Sequence, residues 1–148
     1  MQLRRYCTVG LISAISFAAS AQTSTEQSLV SSFRAFSSDF LQSLRQKEGC
    51  HTKQASADIP DSWFKECQKY DVDSAKIDVT KTASLVSPYV GTLVVRVVIS
   101  NTVWQPTEAK ASADTVITHI REQTVEYSFG YQSGKWRFTS SRVISETE

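Results

Sequence analysis

Histidine is nearly missing from this 148-residue chain: only His51 and His119 are present, so imidazole chemistry has two places to occur. Cysteine is also scarce, with Cys7, Cys50 and Cys67 and no C-x-x-C pair, which argues against a redox motif or a multi-cysteine zinc site. Charge of one sign is not in excess, the formal net charge being +1, and that balance favours neither nucleic acid nor an anionic membrane surface as a partner. A membrane span needs roughly 20 apolar residues. The one extended apolar run, residues 6–17, is shorter and broken by Ser13 and Ser16.

Nucleotide and nucleophile motifs are missing too. Gly130 and Gly134 precede Lys135, but their spacing is one short of a phosphate loop and Trp136 replaces the Ser or Thr that would hold magnesium. Ser133 is not centred between glycines as a nucleophile elbow requires. No cofactor or metal motif is present.

What is present begins with an export signal. Arg4 and Arg5, the apolar run 6–17 and the small residues Ala18-Ala19-Ser20-Ala21 follow the basic, apolar and A-x-A order of a cleaved leader. Residues 1–21 are therefore expected to be removed, Cys7 with them, leaving 22–148 as one domain, periplasmic or secreted, with no membrane anchor after cleavage. Loss of the two arginines takes the net charge slightly below zero. Two cysteines survive, and in an oxidising compartment Cys50 and Cys67 are expected to form a disulfide. The loop they close, about 17 residues, corresponds to roughly 3 kcal/mol of stabilisation in the chain-entropy account.

In the mature part, Leu29, Phe33, Phe36, Phe40 and Leu44 fall on one helical stripe, which predicts a long helix over 24–47 with a capping box at Ser24 and Gln27 and a stop at Gly49. Residues 51–60 are polar and aperiodic, a loop. Pro60 and Asp61, with Trp63, Phe64 and Cys67 on one side, predict a short helix over 61–69 that the disulfide ties to the long one.

The period then becomes twofold. Ile77, Val79, Ala83 and Leu85 read as the buried face of a first strand. Leu93, Val95, Val97, Ile99 and Val103 do the same in a second strand over 91–104, whose other face carries Val94, Val98 and Trp104. That half-apolar face is a possible interaction surface. Residues 105–113 read as a loop, and a strand over 115–131 needs a bulge near 121–124 to reconcile its two parities. Gln132-Ser133-Gly134-Lys135 is a hairpin turn before a last strand over 136–144. The fold class is α+β: a long and a short helix packed on a curved antiparallel sheet of about four strands.

This order resembles the cystatin-like and NTF2-like α+β rolls. The segment Tyr127-Ser128-Phe129-Gly130-Tyr131-Gln132-Ser133-Gly134-Lys135-Trp136 is similar to the aromatic hairpin that closes such sheets. Residues 82–91, Thr-Ala-Ser-Leu-Val-Ser-Pro-Tyr-Val-Gly, resemble a stretch of uncharacterised exported bacterial proteins. The resemblance implies an architecture shared by binding modules, enzymes and inhibitor or immunity proteins. Gln123-Thr124-Val125-Glu126 begins like the Gln-x-Val-x-Gly loop of cystatins, but Tyr127 stands where the glycine belongs.

The leading expectation is a non-enzymatic exported module that binds a small molecule or a protein, with a homodimer through Val94, Val98 and Trp104 as one form. The alternatives are an NTF2-like enzyme using His119 in a pocket with Asp114, Glu122 or Glu126 nearby, and an inhibitor or immunity protein. His51 reads as a solvated loop residue.

Overall fold

The computed structural model describes residues 16–56 and 59–148, with side chains over 25–55 and 61–148. Residues 1–15, which carry most of the expected leader, and the capping box at Ser24 lie outside the described residues and side chains. The chain forms α1 (Ser16–Arg45), β1 (Gly49–Ser56), β2 (Ile59–Lys81), β3 (Tyr89–Thr102), α2 (Glu108–Ala113), β4 (Ile117–Gln132) and β5 (Lys135–Thr147). The five strands make one antiparallel sheet in chain order, so the fold is α+β with five strands rather than four.

The helical stripe and the twofold pattern meet on the concave side of the sheet. Leu29, Phe33 and Leu44 of α1 are buried with Leu93 and Val95 of β3, Phe129 of β4 and Trp136 of β5, and Phe36, Phe40, Tyr70 and Tyr127 pack around them. Phe129 is the hub: its ring centroid lies 5.1 Å from both Phe36 and Phe40 and 5.8 Å from Phe33. Trp136 sits 4.6 Å from Phe33, and its indole N–H donates to Ser32 Oγ at 3.0 Å. Burial, and then the nearby Tyr70, push the Tyr127 phenol up to about 12.

Gly91 lies opposite Phe129 in the register, and the ring of Phe33 rests directly on its backbone. A Cβ there would overlap that ring, which the aromatic cluster holds in place. Gly91→Ala is therefore expected to destabilise the fold by about 1–3 kcal/mol, the usual cost of overpacking. Urea unfolding measures it, and an unchanged midpoint would refute the close approach.

Several expectations are corrected. Residues 61–69 are not a helix; they are the first part of β2, hydrogen-bonded between β1 and β3. Trp63, Phe64 and Cys67 satisfy a helical spacing, yet Trp63 and Phe64 point to opposite faces of a strand. The polar stretch 51–60 is mostly β1 and the start of β2 rather than a loop, and the loop 105–113 contains α2, capped by Thr107. Cys50 and Cys67 are bonded, as expected, but they face each other across β1 and β2, so the bridge staples a hairpin instead of two helices.

The strand expected through Leu85 ends at Lys81, and Val103 lies beyond β3, 39% exposed. Over 121–124, where a bulge is expected, β4 keeps an unbroken register with β3, and the irregularity lies in its pairing with β5, where Thr124 pairs with Ser145 but Val125 with Val143. Across β3 and β4 the register shifts where Asn101 pairs with His119 and Thr102 with Ile117. The hairpin turn falls where expected, with Ser133 and Gly134 both at positive φ (49° and 78°), the twist that a two-residue connection between strands requires.

Candidate functional site

With the register unbroken from His119 to Gly130, alternation puts His119 on the same side of β4 as Val125, Tyr127 and Phe129. Its position along the strand removes it from the core nonetheless. The aromatic cluster fills the concave face between α1 and the sheet, and His119, opposite Asn101 near the other end of β3, is exposed. The carboxylates near it in sequence are occupied elsewhere: Glu122 pairs with Arg96 at 3.5 Å, Glu126 with Arg142 at 2.8 Å, and Asp114 accepts from Gln105 Nε2 and the Val116 N–H. These last two bonds, backbone first, hold Asp114 below the usual carboxylate range. None of the three orients the imidazole.

His51 lies on β1, with Nε2 3.5 Å from Glu66 Oε1, the same oxygen that Lys53 Nζ reaches at 2.6 Å. Among the described residues, no cluster of three His, Cys, Asp or Glu side chains gathers to hold a metal.

Val94 and Val98 share the convex face and are half-buried. Each stands between a lysine and a glutamate in the register: Val94 between Lys76 and Glu126, Val98 between Lys69 and Glu122. Arg96, between the two valines, binds Asp71 at 2.8 Å and Glu122 at 3.5 Å. The Ser74 hydroxyl and the Arg96 guanidinium hold the Asp71 carboxyl below its ordinary value. The face is thus a lattice of opposite charges with two isolated valines. Trp104 does not join it; beyond the end of β3, its ring packs 4.9 Å from that of Phe64.

β2 detours between Asp71, paired with Arg96, and Lys76, paired with Val94. The detour borders open grooves at the end of α1, the larger about 560 Å³ and lined by Leu41, Arg45, Val72 and Asp73. Its charges compensate one another, Arg45 binding Asp73 at 2.7 Å.

The remaining candidate is the connection between β2 and β3. In residues 82–88 the Thr82 N–H donates to the Pro88 carbonyl (2.8 Å) and the Thr82 hydroxyl to the Ser87 carbonyl (2.6 Å). The Ser84 N–H donates to Thr82 Oγ1 and the Ser87 N–H to Ser84 Oγ. The loop is also fixed to the last hairpin: Gln132 Nε2 donates to Ser87 Oγ at 2.8 Å, and a Cβ on Gly130 would come within 2.7 Å of that oxygen. These Ser and Thr turns close the loop upon itself and leave its apolar pair outside, Leu85 100% and Val86 73% exposed. Compared with known families, curated proteins and solved structures, the chain matches none. The reading therefore rests on these residues alone.

Sequence reasoning missed this feature. Leu85 continues the alternation of Ile77, Val79 and Ala83 and was expected to be buried with them. The signal that could have corrected it was the Thr82, Ser84, Ser87 and Pro88 frame, which is turn chemistry rather than strand chemistry.

Proposed function

We propose that the chain is an exported, non-enzymatic interaction module whose contact element is the loop 82–88. The observation that carries this is the Leu85-Val86 pair, held out to solvent by a loop tied to itself and to the last hairpin. Ordering a loop costs roughly 1–2 kcal/mol per residue in backbone entropy. A loop so ordered, with its apolar side chains outward, has met that cost before any partner arrives, which favours binding. Export is supported by the leader pattern of residues 1–21 and by the disulfide. The cystatin-like and NTF2-like resemblance fits the same reading, since such rolls serve as binding modules.

An enzyme at His119 has less support, because that imidazole stands exposed and without a hydrogen-bonding partner among the described residues. A homodimer through Val94 and Val98 would have to cover the charged pairs between them, which costs desolvation.

The test is a photo-crosslinking residue at Leu85, in producing cells, compared with the same residue at Ser112, exposed on α2 at the far end. Adducts are expected at position 85 and only background at 112. Equal yields at both would remove the loop from consideration.

A further inference from the structure

Resting on the interaction reading, we infer that the end of the roll bearing Leu85 and Val86 docks on an anionic lipid surface. The near-zero net charge conceals a segregation. Residues 79–96 and 127–145 contain no aspartate or glutamate, yet they carry Lys81, Arg96, Lys135, Arg137 and Arg142. Arg96 and Arg142 are taken up by carboxylates on the convex face. Lys81, Lys135 and Arg137 are exposed and pair with no carboxylate among the described residues.

The register places these three cations around the apolar pair. Lys81 is the last residue of β2 before the loop and pairs with Tyr89 just after it. Lys135 pairs with Gln132, the residue that binds Ser87, and Arg137 pairs with Gly130, whose backbone lies against Ser87. The carboxylates of this end are Asp78, which accepts from the Thr80 hydroxyl, and Glu26 on α1.

An apolar tip ringed by cations has two components that a bilayer of acidic lipids satisfies together: the side chains enter the interface and the cations meet headgroup phosphates. The course of α1 points the same way. Glu26 and Val30 line a groove with Val79, Lys81 and Tyr89, whereas Arg45 lies at the β2 detour, so α1 begins at the loop end and runs away from it. The chain that precedes Ser16 therefore enters α1 on the side of the loop. A protein with an acidic rim around an apolar socket is the competing partner, and nothing comparable to the course of α1 selects it.

The experiment uses the protein isolated from producing cells, sedimented with vesicles of phosphatidylglycerol and phosphatidylethanolamine or of phosphatidylcholine alone. Binding is expected to the anionic vesicles only and to weaken with salt. Lys81→Gln and Lys135→Gln should each weaken it about fivefold, and Leu85→Ser about tenfold, with circular dichroism unchanged. Equal binding to both vesicle types, or no loss in any variant, overturns the inference. Absence of vesicle binding together with protein adducts from position 85 in cells overturns the lipid partner and leaves the interaction module standing. Absence of both overturns both.

Discussion

Phe129→Ala is expected to lower the free energy of unfolding by about 3–5 kcal/mol, the cost of emptying a fully buried aromatic site. The side chain is 0% exposed, and the rings of Phe33, Phe36, Phe40 and Phe138 all lie within 5.9 Å of its own. Those neighbours come from α1 and from β5, and Phe129 itself from β4, so one cavity loosens the helix, β4 and β5 together. Partial collapse is hindered because Phe33 is already held against Gly91. With a denaturant slope of about 1–3 kcal/mol per molar urea, the midpoint should fall by at least about 1 M. Phe129→Leu keeps most of the volume and should fall much less. A shift for the alanine variant no larger than a surface substitution gives, about 0.5 kcal/mol, would mean that Phe129 is not the hub.

The second large effect is expected from the paired change Cys50→Ser with Cys67→Ser, at roughly 3 kcal/mol for a loop of this length. Its location predicts more than a lowered midpoint. β1 is an edge strand hydrogen-bonded to β2 alone, with α2 as its other neighbour through Thr52 and Glu108 at 2.7 Å. Hydrogen exchange should therefore show protection lost first over Gly49–Ser56, while β3, β4 and β5 keep theirs. Reduction of the wild type should reproduce the result. Equal stability of oxidised and reduced protein would show that the bridge is incidental.

The parts of the fold legible in the sequence were those whose pattern admits one period. The stripe Leu29, Phe33, Phe36, Phe40, Leu44 fits only a helix, Leu93, Val95, Val97, Ile99 fits only a strand, and Gln132 to Lys135 fits only a tight turn. Residues 61–69 were misread because Trp63, Phe64 and Cys67 satisfy a helical spacing, and the evidence that decides for a strand is a pairing partner. That partner, β1, is an edge strand of polar residues such as His51, Thr52, Lys53 and Gln54, whose solvated faces leave no alternation to read. α2 is a single short helix, capped by Thr107, with too few residues to show a period. The disulfide was legible from an even count of cysteines once the leader pattern led us to expect export, although its place in a hairpin was not. The loop 82–88 was hidden because hydrophobic alternation passes through Leu85 without a break, while the hydroxyls that turn the chain around it act at the level of single hydrogen bonds.

The bond from Trp136 to Ser32 joins residues 104 positions apart in a sheet whose strands otherwise pair with their neighbours in sequence. Four consecutive hairpin pairings can form by short excursions, but the apolar stripe of α1 has no complete seat until the final hairpin exists. A chain delivered amino end first must therefore carry Phe33, Phe36 and Phe40 in the open until β4 and β5 have emerged. During that interval the helix is the segment at risk of self-association and the natural client of a holding chaperone. The order of synthesis and the order of burial run in opposite directions, and the last residues delivered are the ones that make the first ones safe.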